Sequence, residues 1–211
     1  MKTLSYLFFI VVFISCSSTK ITDSWRNPEY LHYQPNKVLL LGVTNNLTAR
    51  IIYEEKLKEV FTDRGMQAVE SYQVFTPTFT SLEQTEEGIQ KEIDTLSKQG
   101  FDAILIATVK GVEKKVAYNS SYYGYPTNSR RFGHYYYLNQ EIYYNNRFYD
   151  NYKVYHIEIS LFNLINNTEK SLVWVASYDI VDPQKINATI KDCVNALETS
   201  LEEEGFIPTY Q

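Results

Sequence analysis

Three histidines, His32, His134 and His156, and two cysteines, Cys16 and Cys193, are the side chains with which this chain could bind a metal or attack a carbon. Their spacing argues against both. No two histidines stand three or four apart, the separation that sets a ligand pair on one helical face. His156 lies in an alternating strand pattern beside Tyr155 and Ile157, where a histidine more often serves structure than coordination. There is no Gly-x-Ser-x-Gly elbow, no paired-cysteine motif and no glycine-rich phosphate loop, since Gly42 stands alone. An enzyme is therefore not expected, and neither is a metal or any other cofactor. Cys193 belongs instead to a helical stripe in which Ile186, Ile190, Cys193, Leu197 and Leu201 recur at steps of four, three, four and four. That is the inward face of a helix, where a thiol behaves as a small hydrophobe.

Cys16 has a different setting. Lys2 and the free amine precede an apolar run from Leu4 to Ile14, interrupted only by Ser5 and Tyr6. This run is too short for a bilayer span, which needs about 20 apolar residues, and fits the hydrophobic region of a signal peptide over residues 1–15. Phe13-Ile14-Ser15-Cys16 then places a small residue before the cysteine and resembles the lipobox of bacterial lipoproteins, with Phe13 in place of the usual leucine. The resemblance implies cleavage after Ser15, a diacylglyceryl thioether on Cys16 and acylation of the new amine. The alternative is a secretory peptide whose cysteine is incidental. At about 0.8 kcal/mol per buried methylene, one acyl chain holds marginally and two or three hold firmly. Ser17 and Ser18, with no acidic residue directly after Cys16, favour the outer membrane in the sorting logic of such lipoproteins. With Cys16 consumed, Cys193 has no partner and no internal disulfide is expected.

Removing residues 1–15 takes one lysine from a chain of net charge −5, leaving about −6. Such a chain lacks the basic stripe that a phosphate backbone demands, so nucleic acid is not an expected partner. Residues 16–36 are polar, contain Pro28 and Pro35, and read as a lipid-anchored tether. About twenty flexible residues would span roughly 25 Å. Trp25 is out of keeping there, and either docks on the domain or dips into the membrane interface.

The elements that must position any site begin at Lys37. KVLLLGV is a continuous apolar run of the kind buried on both faces of a sheet. A helix from Thr48 to Arg64 follows, stopped at Gly65, then a second strand in MQAVES and a loop over Phe75–Phe79. A second helix over about 83–99 ends at Gly100, and FDAILIATVKGV forms the third strand. That order implies parallel strands with covering helices. NYKVYHIEISLFNLI and KSLVWVASYDI flank NNTE as an antiparallel hairpin, and Asp182-Pro183 opens a terminal helix that Gly205 closes. The expected fold class is α/β: a single α/β sandwich over 37–207, with a mixed sheet of about five strands and a tyrosine-rich insert at about 118–151.

The lipobox, SWRNPEY, KVLLLGVTNN followed by Arg50, GFDAILIATV and LVWVAS, in this order, resemble a Bacteroidetes-type family of bacterial lipoproteins. The likeness covers most of the mature chain and departs from it in the tyrosine-rich insert. The topology is also similar to the periplasmic α/β domain of the curli-secretion lipoprotein and of lipoprotein activators of penicillin-binding proteins. The resemblance implies a domain that works by binding other proteins, and it carries no catalytic residue across.

Two candidate contact sites remain. Open α/β sheets gather ligands beyond the carboxyl ends of their parallel strands, which here brings Thr44, Asn45, Asn46, Ser71 and Tyr72 together. Arg50 near a helix N-terminus would add an anion-binding group; otherwise the asparagines only make the turn and Arg50 is a solvated charge. The other is the insert, where Tyr122, Tyr123, Tyr125, Tyr135, Tyr136, Tyr137, Tyr143, Tyr144 and Tyr149 accompany almost no aliphatic residue. Tyr136, Leu138, Ile142 and Tyr144 share strand parity, so an arm or long hairpin is expected, either a recognition surface or a self-packed loop. The functional expectation is a lipid-anchored, non-catalytic envelope domain that binds another envelope protein. A small-molecule or glycan binder using the arm or the strand-end cleft is the alternative. The expected partners are thus the membrane, through lipid on Cys16, and an envelope protein.

Overall fold

The computed structural model describes residues 19–113, 131–140, 154–165, 171–181 and 185–209. Its strands are β1 (Thr19–Arg26), β2 (Lys37–Val43), β3 (Gln67–Glu70), β4 (Ala103–Glu113), β5 (Val154–Asn163) and β6 (Leu172–Val181). They form one open sheet in the order β1-β6-β5-β4-β2-β3. β2 runs parallel to β3 and β4, while β4, β5, β6 and β1 pair antiparallel in succession. The helices are α1 (Leu47–Asp63), α2 (Ser71–Val74), α3 (Pro77–Ser81), α4 (Glu86–Lys98), α5 (Phe132–Asn139) and α6 (Ile186–Glu203).

β2 is apolar throughout because both its faces are covered. Val38 and Leu40 join the core beneath α1 and α6, whereas Leu39, Leu41 and Val43 join the core beneath α4 and α5. Each fully buried Leu contributes about 1.5–3 kcal/mol relative to exposure. Helices α1, α4 and α6 end alike. Gly65, Gly100 and Gly205 take φ of 73°, 83° and 73°, and the residue after each donates its N–H back to Phe61, Leu96 or Leu201. This closure satisfies the last carbonyls and requires a left-handed residue that glycine supplies without strain.

The sheet has six strands rather than five, and the sixth lies in the expected tether. β1 pairs with β6 from Thr19↔Ile180 to Arg26↔Trp174. The rest of that segment is stitched down as well. Arg26 stacks on the Phe206 ring at 4.5 Å and donates to the carbonyls of Tyr30, Leu31 and Glu204. Asn27 donates its side-chain amide to the Leu172 carbonyl at 3.0 Å, and the Asp102 carboxylate accepts from the backbone of Asn36 and Lys37. The SWRNPEY stretch is thus a clamp. Trp25 is 41% exposed on the edge strand. It lies about 20 Å along β1 from Thr19.

Three further expectations are corrected. The Phe75–Phe79 loop is partly helical: Pro77 to Phe79 open the short helix α3, and a second short helix, α2, ends at Val74 just before it. The terminal helix starts at Ile186 with Lys185 as its cap, not at Asp182-Pro183, and residues 182–184 lie outside the described residues. The described part of the tyrosine insert is helical, so strand parity does not govern it. α5 lies against α4, with a Cβ on Gly133 reaching Ile93 at 3.5 Å. Tyr135 and Tyr136 are buried core residues rather than an arm: Tyr136 stacks on Phe79 at 5.5 Å and the Tyr135 hydroxyl donates to Glu158 at 2.6 Å. Burial, and secondarily the Glu158 charge, pushes the Tyr135 phenol well above its ordinary pKa. Tyr137 is half-exposed, and Tyr122, Tyr123, Tyr125, Tyr143, Tyr144 and Tyr149 lie outside the described residues, as do Cys16 and the NNTE turn.

Candidate functional site

The strand-end region contains a cavity of about 270 Å³, lined by residues of α1 and α6 and by the ends of β2, β4, β5 and β6. Its walls are chiefly apolar. Tyr53 from α1, Ile190 and Cys193 from α6, and Ala107, Ile157 and Ile180 from the sheet make up much of its surface. α1 crosses close to β2 here: a Cβ at Gly42 would sit 3.4 Å from the Tyr53 ring, in van der Waals contact.

Of the six residues expected at this site, Thr44, Asn46 and Arg50 line the cavity, while Asn45, Ser71 and Tyr72 are not among its lining residues. Asn46 caps α1 by accepting from the Ala49 N–H at 3.0 Å, and its own N–H donates to the Thr44 hydroxyl at 3.2 Å. Tyr72 lies elsewhere, its hydroxyl donating to Glu55 at 3.3 Å.

Arg50 is a buried, paired cation rather than a solvated charge. It is 5% exposed, and its Nε donates to Glu54 Oε1 at 3.0 Å. A guanidinium NH2 donates to the Ser71 hydroxyl, which donates in turn to Glu54 Oε1, both at 2.6 Å. The same oxygen accepts the Gly42 N–H at 2.9 Å. One carboxylate oxygen thereby ties β2, α1 and α2 together. A pairing at i and i+4 is visible in sequence, but nothing in the sequence marks it as buried.

The helical stripe through Cys193 does face inward, although Ile186 at its start is 46% exposed. Burial, and then the Asp192 charge, pushes the Cys193 thiol up to about 12, so at neutral pH it holds no thiolate with which to attack. His156 is partnered by Asp179, with Nδ1 and Oδ1 2.6 Å apart. Among the described residues no group of three His, Cys, Asp or Glu side chains is placed to hold a metal ion, and no helix is long and apolar enough to cross a membrane. The residues that sequence reasoning missed are Tyr53, Tyr155, Ile157 and Ile180. Each reads as ordinary core in the sequence, and only the gap between α1 and α6 turns them into a wall.

No protein-family model matches this chain, and no curated protein matches it in sequence. Similar solved structures include the PelC dodecamer of Paraburkholderia phytofirmans, with TM-score 0.45, 11% identity and coverage of 88% of this chain and 96% of that one. Another is the lipoprotein GNA1162 of Neisseria meningitidis, with TM-score 0.39, 12% identity and coverage of 80% of this chain and 99% of that one.

Proposed function

We propose that the chain is a lipid-anchored domain of the cell envelope, facing the periplasm, that works by binding another envelope protein through the open edge of β1 rather than by catalysis. The anchor rests on the lipobox-like ending at Cys16. The contact rests on one observation: β1 is a sheet-edge strand, paired only with β6 among the described residues, and nearly all its residues are exposed. Such an edge presents a row of backbone donors and acceptors that a partner strand can take up. Ile21 and Trp25, both more than two-fifths exposed, add apolar contact area on it. Buried Tyr135 and Tyr136 remove the middle of the tyrosine arm as the contact surface.

The test is crosslinking in cells followed by capture, comparing the wild-type chain with Ile21→Lys/Trp25→Lys. The expected result is a stoichiometric envelope partner that the double variant loses at unchanged protein level. Equal recovery from both would remove β1 from the reading. A second reading, a small-molecule site, is favoured by the strand-end cavity, whose apolar walls suit a hydrocarbon better than a sugar.

A further inference from the structure

The cavity lies at the end of the sheet where β1 begins, the end nearer to Cys16 along the chain. Thr19 begins β1 three residues after Cys16 and pairs directly with Ile180, a cavity wall. Paired strands stand about 5 Å apart and three extended residues span at most about 11 Å, so chain length alone keeps the Cys16 Cα within about 16 Å of Ile180. The expected tether would have left this distance open. Both long helices flanking the cavity start at this end, and their first residues, Leu47 and Ile186, are 61% and 46% exposed. Ile21 adds a third exposed apolar side chain near the start of β1.

We propose that the cavity is a binding site for a fatty-acyl chain, entered from the membrane-facing end, with the polar head of the lipid left at the mouth beside Thr44 and Asn46. The inference takes the anchor at Cys16 from the reading above but is independent of the β1 contact. Size supports it: the volume is about 270 Å³, and an apolar cavity of about 150 Å³ admits benzene, so a medium-length acyl chain fits. The walls supply hydrocarbon contact, with one exception. Tyr53 is more than nine-tenths buried, and its hydroxyl, near Cys193, has no hydrogen-bond partner among the described residues. The chain has two sources, a free lipid of the membrane or the graft on Cys16 itself.

The experiment uses the full chain carrying Cys16→Ser, which cannot be lipidated, titrated with cis-parinaric acid, a conjugated fatty acid that fluoresces in apolar surroundings. Saturable one-to-one binding, displaced by dodecanoate, is the expected result. Thr189→Trp and Ala107→Phe fill the cavity from opposite walls, and each should weaken binding at least tenfold with the urea midpoint retained. Two variants are used so that a folding failure in one leaves the other decisive. No saturable binding, or binding unchanged in a folded filling variant, overturns the proposal. The lipidated wild type distinguishes the sources. If it refuses the probe that Cys16→Ser accepts, the graft occupies the site; if it binds the probe and releases fatty acid on extraction, membrane lipid does. Neither result alters capture through β1, so the two readings fail separately.

Discussion

The Arg50–Glu54 pair offers the sharpest test of how the strand-end region is built. Arg50→Met removes the cation from a carboxylate that has no solvent exposure and whose Oε2 already has no hydrogen-bond partner among the described residues. Removing one partner of a buried pair costs about 3–5 kcal/mol, since the other charge stays behind uncompensated. A domain of this size moves by about 2–4 °C per kcal/mol, so the melting midpoint should fall by on the order of 10 °C. Glu54→Gln keeps an oxygen for the Gly42 N–H and Ser71 but strands the guanidinium, and should cost about as much. Arg50→Met/Glu54→Gln removes both charges and should recover most of the loss, with a coupling of at least about 2 kcal/mol. Urea unfolding followed by tryptophan emission measures the cycle, because Trp174 is fully buried beside Phe206. Single variants that each cost under about 1 kcal/mol and add without coupling would refute the reasoning. Arg50 would then reach solvent, and an anion site at the start of α1 would again be open.

Trypsin should cut slowly after Lys20, Arg26 and Lys37 in the native protein, since the first two lie in β1 and the last begins β2; rapid cleavage there would restore the tether. Gly205→Ala, which forces a side chain into φ of 73°, should cost about 1–3 kcal/mol by chemical denaturation, and a neutral result would mean the α6 end relaxes freely. The domain should lose stability in alkali. A Cys193 thiol held up at about 12 contributes stability that is complete below its ordinary value of 9.0 and decays as pH climbs toward 12. The Tyr53 and Tyr178 phenols, raised above their ordinary 10.0 chiefly by burial, act in the same direction over a higher window. A denaturation midpoint that stays flat or rises above pH 10 would contradict this, as would native Cys193 reacting with thiol reagents at the rate of a free thiol.

The strands from Lys37 onward were legible because each carries a continuous or alternating apolar run, and the glycine stops because only one conformation closes a helix that way. β1 was not. TKITDSWR lies at an edge with both faces largely in water, so burial imposes no period on it, and pairing with a strand over 150 positions away leaves no local trace. α5 escaped for the opposite reason. Half of FGHYYYLN, Phe132 and three tyrosines, favours strands, and Tyr135 and Tyr136 go inward only because Glu158, Phe79 and Phe162 stand ready to receive them. At the candidate site, Thr44, Asn46 and Arg50 line the cavity while Asn45, Ser71 and Tyr72 do not. The role of Arg50 depended on Ser71 and on the depth of Glu54, which no spacing rule conveys.

The pairing of β1 with β6 also sets an order of events during folding. The first strand of the sheet can be completed only by the last, since Thr19 waits for Ile180. Almost the entire domain must therefore be synthesised before β1 finds its place, and until then that strand is an open edge. On the proposed reading, a graft at Cys16 in that interval would hold the waiting strand at a membrane surface until the sheet closes.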